Sequence, residues 1–305
     1  MTQIPPYTRT RHSTARIMTT ALLSMLPILA LAAAAHGNAV LLRAGICIAS
    51  AAAAEFICRG IFARDFSLHD MSAAVTGMIL ALILPTGTPI WLSGISSAFA
   101  IVVGKQVFGG LGKNVINPAL AGLLLSCGVL YAIRPRSALL TPLEPSAVPV
   151  FFAKLHLPAK AAHFSEIPVL GFGQFDGALF LAPVILLIII LFWSRTVKWE
   201  IPAFAAAGAL AAAYISYRFH FTAHSHIPSI AASGGFLFIV SMILSDPVTS
   251  PLSAGGRIVY GIISGIVIAA AWILTKNGYA ALLSVLACNL LTPLFDRAFP
   301  RRRFR

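Results

Sequence analysis

Charged side chains are scarce in this sequence. They make up 10% of its 305 residues, and only nine residues are acidic. A soluble domain carries about 25% charged residues, whereas 58% of this chain is hydrophobic. This scarcity excludes an ordinary soluble domain and predicts an integral membrane protein. The net charge of +13 does not point to nucleic acid, because lysine and arginine in such proteins mark cytoplasmic loops.

Motifs for several other chemistries are missing. None of the four cysteines forms a CxxC pair, so we expect neither a zinc site nor an iron–sulfur cluster, and we interpret the cysteines as core residues. No GxGxxG opens a strand–helix unit, so this chain has no complete site for NAD. The stretch "GKQVFGGLGKN" is only superficially a phosphate loop. A Walker motif needs Gly where Val107 stands and Ser or Thr where Asn114 stands.

Apolar runs dominate what is present. A bilayer-spanning helix needs about 20 mostly apolar residues, and the polar, basic first residues lack the pattern of a cleavable signal peptide. With the N-terminus in the cytoplasm, 15 of the 22 lysines and arginines fall in inner segments. We therefore predict an all-α membrane protein with both termini cytoplasmic and about ten spans, of which the third, fourth and eighth are short or broken: 17–35, 38–57, 71–86, 90–104, 115–133, 177–193, 201–217, 229–244, 258–274 and 279–295.

Two sequence echoes predict that the chain consists of two inverted five-helix halves. "NVINPAL" (Asn114–Leu120) resembles "NLLTPLF" (Asn289–Phe295), and "ILALILPTGTP" (Ile79–Pro89) resembles "VSMILSDPVTSP" (Val240–Pro251). An odd number of spans in each half would invert the second half relative to the first. Inverted repeats with broken helices place ligand sites near the repeat interface. The predicted units are a cytoplasmic segment 1–16, a first half 17–133, a periplasmic loop 134–176, a second half 177–296 and a basic cytoplasmic tail 297–305.

Three carboxylates are candidates for ion coupling, because intramembrane carboxylates are costly and often functional. Glu55 stands one turn before Arg59, a spacing that also suits a simple ion pair. Asp70 precedes the third span, where it would equally serve as an N-cap. Asp246 lies before a proline, at the broken end of the eighth span. For each residue the structural role stays open beside the functional one.

The glycine-rich stretch is the other candidate site. Gly109 and Gly110 allow a ligand to approach the backbone closely, and Asn114 is expected to cap the following helix, whose N-terminus could bind an anion. The alternative is a tight turn between helices with basic topology markers. The "HSH" pair beside His220 is interpreted as a solvated cluster rather than a metal site, because no further ligand is evident nearby.

Five segments resemble the RnfD family, which comprises the D subunits of Rnf electron-transport complexes. This family is related to the NqrB subunits of sodium-translocating NADH:quinone reductases. The five segments extend over nearly the whole chain in family order, and the third is the most specific. The segments are "RHSTARIM" (Arg11–Met18), "LHDMSAAVTGMILALILP" (Leu68–Pro85), "GKQVFGGLGKNVINPALAG" (Gly104–Gly122), "SDPVTSP" (Ser245–Pro251) and "NLLTPLFDRAFPRR" (Asn289–Arg302).

The resemblance implies a bacterial inner-membrane protein that carries flavin. The family attaches FMN to a Thr in an outer-side Ser-Gly-Ala-Thr motif. Thr141 and the following Pro-Leu remain here, but Ala-Leu-Leu replaces Ser-Gly-Ala, so covalent FMN and an ordinary loop threonine both stay open. The family also holds a noncovalent flavin, riboflavin or FMN, toward the cytoplasm. For that flavin we expect Gly109 and Gly110 to pack on the ring and Asn114 and Asn117 to hydrogen-bond it.

The implied function is electron transfer coupled to Na⁺ or H⁺ movement between ferredoxin and NAD, together with the other Rnf subunits (A, B, C, E and G). Two alternatives remain. One is a stand-alone transporter or channel, which would also suit inverted repeats. The other is a scaffold protein of the complex that has lost its covalent flavin.

Overall fold

The computed structural model describes residues 13–62, 70–85, 87–133, 180–219, 233–275 and 277–300. Thr141 and the histidine cluster lie outside these residues. The described part is all-helical and contains no strand. Its ten helices are α1 Thr14–His36, α2 Ala39–Ile61, α3 Ser72–Ile83, α4 Ile90–Ile101, α5 Pro118–Ile133, α6 Leu181–Trp193, α7 Glu200–Arg218, α8 Gly234–Phe238, α9 Ala254–Thr275 and α10 Gly278–Ala298.

Helix length separates complete membrane crossings from shorter elements. Four helices of 21 to 23 residues, α1, α2, α9 and α10, are long and apolar enough to cross a bilayer. The prediction that the third, fourth and eighth helices are short agrees with α3 and α4, of 12 residues each, and α8, of five. That every helix spans the membrane, and that the halves are inverted, stay predictions.

Two helices end in a wider turn. The chain continues α4 as a π-helix over Val102–Gln106 and α8 as another over Ile239–Ile243. In the first, the Val107 N–H donates to the Val102 carbonyl at 2.9 Å; in the second, the Leu244 N–H donates to the Ile239 carbonyl at 2.8 Å. Such π-turns often lie at functional sites. Here they bring Lys105 and Ser241 to the wall of one internal cavity.

Small residues allow the helices to pack closely. A side-chain carbon at Gly265 in α9 would collide with the backbone carbonyl of Ala205 in α7, and one at Gly208 in α7 would collide with that of Ile262. In the other part of the chain, a carbon at Gly77 in α3 would lie 2.7 Å from the Cys47 carbonyl in α2. Small residues at helix interfaces are the usual way in which membrane helices achieve contact.

The same helix pairs recur in the two sets of five. In the first set, α2 packs against α4, α4 against α5 and α1 against α3; in the second, α7 packs against α9, α9 against α10 and α6 against α8. The sets meet where α1 contacts α6 and α5 contacts α10. Most of the buried apolar side chains, from both sets, form one continuous core.

One sequence echo does not mark equivalent positions. Asn114–Leu120 leads into the start of α5, whereas Asn289–Phe295 lies in the second half of α10, with Pro293 inside the helix. That the two segments are partners of an inverted repeat stays a prediction, although they occupy different points of their helices. In the other echo, Ile79–Pro89 covers the end of α3, and Val240–Pro251 covers the end of the π-turn that continues α8.

The helices alternate between two ends of the bundle. The start of α1, the α2–α3, α4–α5, α6–α7 and α8–α9 connections and the end of α10 lie together, at what we call the polar end. Residues from five of these places line one cavity, and Asp296 near the end of α10 accepts the Leu252 N–H at 2.9 Å. Eight of the ten described lysines and arginines lie at the polar end: Arg16, Arg59, Lys105, Lys113, Arg195, Lys198, Arg257 and Arg297.

Helix α6 stops in a Schellman motif with an unusual residue. The Thr196 N–H donates to the Leu191 carbonyl at 3.0 Å, and the Arg195 N–H donates to the Phe192 carbonyl at 3.0 Å. The residue after the helix cap in this motif is usually glycine. Here it is Arg195, with a φ of 54°, a conformation that costs a residue with a side chain about 1–2 kcal/mol.

Candidate functional site

A buried ionic cluster joins α2, α3 and the π-turn of α4. At its centre Glu55 is fully buried, and one of its oxygens, Oε1, accepts from Arg59 Nη2 at 2.7 Å and from Lys105 Nζ at 2.8 Å. Arg59 Nη2 also lies 3.0 Å from Asp70 Oδ2. The predicted pair of Glu55 and Arg59 is thus present, within a larger network.

The hydroxyl of Ser72 links the two sides of this cluster. It accepts from Lys105 Nζ at 2.6 Å and donates to Asp70 Oδ1 at 2.7 Å. Asp70 Oδ1 also accepts the Ser72 N–H at 3.0 Å, so its carboxylate holds the start of α3. The N-cap position itself is Met71, one residue later than predicted. Burial opposes ionisation, but the bonds from Ser72 and the charges of Lys105 and Arg59 prevail and lower the pKa of Asp70.

The cluster balances its charges but not its hydrogen bonds. Two cations, Arg59 and Lys105, face two carboxylates, Glu55 and Asp70. The second oxygen of Glu55, Oε2, is buried and has no hydrogen-bond partner among the described residues. An unsatisfied buried acceptor costs about 1–3 kcal/mol. Oε2 of Glu55 is therefore the atom of this cluster best placed to take a proton or a cation.

A small cavity lies beside the ionic cluster, at the polar end, between the two helix sets. Its volume is about 80 Å³. The wall is apolar on α1, mixed on α3, and largely polar where the two π-turns and the adjoining connections meet. The lining residues are Ile17, Met18, Ala21, Ser72, Val75, Thr76, Ile79, Lys105, Leu111, Asn114, Asn117, Pro118, Leu191, Thr196, Val197, Ser241, Met242, Ser245, Asp246, Pro247 and Val248. We call it the central cavity.

The central cavity brings together three of the predicted site residues. Asn114, Asn117 and Asp246 all line it. Asn117 Oδ1 accepts the Ala119 N–H at 3.0 Å and so caps α5, with Pro118 at the first helical position, as such helices favour. The cap was predicted at Asn114 and is therefore displaced by one turn. The side-chain oxygen of Asn114 is buried and has no partner within the described part of the chain, so it is available to a ligand.

Asp246 also lines the central cavity and holds a turn. Its carboxylate accepts the Val248 N–H at 3.2 Å and the Thr249 hydroxyl at 3.3 Å. Burial raises the pKa of Asp246 above its ordinary value, although these two hydrogen bonds act in the other direction. Asp246 is therefore both a structural carboxylate and a protonatable group at the cavity wall.

Gly109 and Gly110 are not among the residues that line the central cavity. They terminate the π-turn of α4 with φ values of 113° and 94°, and the Gly110 N–H donates to the Lys105 carbonyl at 3.0 Å. A side-chain carbon on Gly109 would lie 2.7 Å from Cδ of Lys113. The two glycines thus shape the turn that carries Lys105. Their contact with a flavin stays a prediction.

The central cavity suits a flavin in its chemistry but not in its size. The free oxygen of Asn114, the hydroxyls of Ser241 and Ser245 and the nearby Lys105 could hydrogen-bond the edge of a ring. Pockets for drug-sized molecules, however, have volumes of about 300–1,000 Å³, far above the 80 Å³ found here. A flavin ring does not fit into this arrangement unless the walls separate.

Lys105 is the functional candidate that sequence reasoning missed. In the sequence it counts among the basic residues of the predicted inner segments, yet its side chain is only 2% exposed. A signal was present: Lys105 continues the apolar run of α4 without a break before Gly109, so it lies on a helix and not in a loop. A buried lysine needs a carboxylate, and Glu55 was one of only nine acidic residues available.

Comparison with known proteins identifies the family. A family model described as "NQR2, RnfD, RnfE family" matches residues 1–305. The chain belongs to this family. It is 31% identical over 304 residues to the D subunit of the Na⁺-translocating ferredoxin:NAD⁺ oxidoreductase complex of Acetobacterium woodii, and the match covers 96% of this chain and 91% of the relative.

Two further relatives extend the agreement within the NQR2, RnfD, RnfE family. Both are named as the D subunit of an ion-translocating oxidoreductase complex. The protein from Stutzerimonas stutzeri is 32% identical over 335 residues, covering 96% of this chain and 93% of its own. The protein from Tolumonas auensis is 29% identical over 343 residues, covering 96% of both chains. The family resemblance recognised from the five sequence segments is confirmed.

Proposed function

We propose that this chain is the membrane-embedded D subunit of an ion-translocating ferredoxin:NAD oxidoreductase complex. Its family membership and the names of its relatives support this assignment. Its partners in that complex are the other Rnf subunits (A, B, C, E and G), and its location is the bacterial inner membrane with both termini cytoplasmic. The concentration of lysine and arginine at the polar end supports this orientation, because such residues favour the cytoplasmic side.

The observation that carries an ion-coupling role is the ionic cluster at the wall of the central cavity. Glu55 shares one oxygen between two cations and leaves the other without a partner in the described part of the chain. A proton or Na⁺ at that oxygen would weaken the ion pair between Glu55 and Lys105. Lys105 lies on the π-turn and lines the central cavity. Asp70, through Ser72, would then compete for Lys105. We propose Glu55, with Asp70 and Asp246, as the ion-coupling carboxylates of this protein.

The test compares two carboxylates at the polar end. Glu55→Gln should abolish coupled ion uptake into inverted membrane vesicles that contain the intact complex, with ferredoxin-driven NAD reduction measured in parallel. Glu200→Gln is the matched control, since Glu200 also pairs with an arginine, Arg257, at 3.0 Å. Arg257 does not line the central cavity, whereas Lys105, the partner of Glu55, does. If Glu55→Gln assembles normally and moves the same number of ions per electron as the wild type, Glu55 has no coupling role.

We further propose that this protein relays electrons through flavin. A noncovalent riboflavin or FMN would contact Asn114 and Asn117 in a widened central cavity, and FMN would be attached to Thr141, which lies outside the described residues. Flavins suit such a relay because they accept one or two electrons. The unpartnered oxygen of Asn114 supports the noncovalent site. The 80 Å³ cavity requires that its walls move apart when the flavin binds.

Separate measurements test the two flavins. For the covalent one, the chain is purified with its flavin transferase, denatured, and inspected for in-gel fluorescence. Fluorescence should disappear in Thr141→Ala and persist in the control Ser137→Ala. For the noncovalent one, flavin released from the intact complex is quantified. Asn114→Leu should reduce the released flavin. An intact complex that releases none would refute the noncovalent site and leave the covalent question to the gel.

Two other functions are distinguishable from this one. A stand-alone transporter or channel would move ions in vesicles that contain this chain alone, without ferredoxin or NAD. A scaffold protein that has lost its covalent flavin would support complex assembly while Thr141→Ala changes neither fluorescence nor electron transfer. The position of the charges disfavours the transporter, because the described carboxylates lie at the polar end and not at mid-span.

A further inference from the structure

A second, larger cleft opens at the polar end, on the outside of the bundle. Its volume is about 310 Å³, and it lies between the first turns of α1 and the end of α6. Two arginines, Arg16 and Arg195, contribute the charge of its wall, and Ser194 and Thr196 contribute hydroxyls. No carboxylate of the described residues lines it. The cleft is thus built for an anion, and its volume is that of a small-molecule site.

The position of Arg195 strengthens this interpretation. Arg195 occupies the place in the Schellman motif that glycine normally takes, with its φ at 54°. Backbone strain of this kind is often retained at functional positions. Here the strained position carries a guanidinium at the cleft wall, whereas a glycine would remove the backbone strain. The hydroxyls of Ser194 and Thr196 lie 2.8 Å apart beside it.

Arg195 also differs from other arginines of the polar end. Arg59 and Arg257 each form ion pairs with carboxylates. Within the residues that the structure describes, Arg195 has no ion pair. An arginine binds phosphate through two parallel hydrogen bonds more readily than a lysine does. A phosphate group is therefore the ligand that this pair of arginines and hydroxyls recognises best.

The surroundings of the cleft indicate where such a phosphate comes from. Trp193, at the cleft wall, is 90% exposed, and Trp199, after the same turn, is 60% exposed. Tryptophan is enriched at the level of the lipid headgroups. The two exposed tryptophans thus favour a position of the cleft at the level of the headgroup phosphates.

We propose that the cleft between α1 and α6 binds the phosphate of an acidic phospholipid headgroup, held by Arg16 and Arg195. This proposal rests on the membrane location and not on flavin or ion coupling. A bound lipid would connect the first helix of one five-helix set to the first helix of the other, at the place where the sets already touch. It would thus stabilise the contact between the two sets.

The experiment uses the full chain, purified in a neutral detergent, and follows its thermal unfolding as lipid is added. Phosphatidylglycerol should raise the melting temperature, and phosphatidylcholine with the same acyl chains should raise it much less. In Arg195→Gly and in Arg16→Gln the apparent affinity for phosphatidylglycerol should fall about tenfold, the loss expected for hydrogen bonds to a charged group. Arg297→Gln is the control, an exposed arginine at the polar end outside the cleft.

Arg195→Gly separates binding from folding. Glycine suits the backbone there, so without lipid the variant should melt at or above the wild-type temperature. A variant that is stable but indifferent to phosphatidylglycerol supports the proposal. An unchanged response to phosphatidylglycerol in the double variant Arg16→Gln, Arg195→Gly would overturn it. Equal protection by inorganic phosphate or FMN without lipid would also overturn it, since the cleft would then be a site for a soluble phosphate.

Discussion

Replacing Lys105 by methionine tests the ionic cluster most directly. The change keeps the length and apolar volume of the side chain and removes its ammonium. Two contacts disappear, those of Nζ with Glu55 Oε1 at 2.8 Å and with Ser72 Oγ at 2.6 Å. Breaking a buried ion pair from one side costs about 3–5 kcal/mol. Glu55 retains Arg59 at 2.7 Å, so we expect the lower end, about 3 kcal/mol of unfolding free energy.

A double-mutant cycle with Glu55→Gln isolates the pair. Reversible unfolding in mixed micelles is measured for the wild type, Lys105→Met, Glu55→Gln and the double variant. With both charges gone, the double variant should be more stable than the sum of the single effects predicts, by about 1.5 kcal/mol or more. Effects that add within about 0.5 kcal/mol would mean that the two residues do not interact. That result would refute the buried pair and the coupling mechanism built on it.

Two further predictions concern packing and pH. Gly265→Val should destabilise the protein by about 3 kcal/mol or prevent its accumulation, because the new side chain meets the Ala205 backbone. Gly45 has open space around it, so the control Gly45→Ala should be neutral or slightly stabilising in the same unfolding assay. For Asp70, whose pKa is lowered from 3.8, the stabilisation is complete above the unfolded-state pKa and is lost as the pH falls through the lower folded value. The stability difference between wild type and Asp70→Asn should therefore be constant from about pH 5 to 8 and shrink below about pH 4. A difference that already declines near neutral pH would contradict the lowered pKa of Asp70.

Ser72 and Lys105 belong to the ionic cluster and also line the central cavity. These two residues therefore connect the two features of the polar end. Changes in the cavity could reach Glu55 through one lysine on a π-turn, over contacts of 2.6 and 2.8 Å. The central cavity also receives residues from both helix sets, so relative movement of the sets would change it. The proposed ion coupling would thus have a physical route that involves few residues.

Several site features followed from the sequence because they depend on local rules. The pair of Glu55 and Arg59 is one helical turn apart, and Asp70 stands just before a helix, so both could be placed without a tertiary structure. The cap of α5 was predicted one turn too early, at Asn114. Both Asn114 and Asn117 are competent caps, but Asn117 stands directly before Pro118, which fixes the first helical position. The Asn–Pro step was the better local signal.

The class of the protein, the approximate positions of its helices and its family can be inferred from the sequence, because hydropathy, charge and short motifs are properties of the chain. Only the folded arrangement shows that Lys105 is buried against Glu55, 50 residues away, and that Asn114 and Asp246 line the same cavity. It also decided that Arg16 and Arg195 share a cleft. Such partnerships depend on which helix faces meet, and a helix of suitable hydropathy can pack in many ways until its neighbours select one.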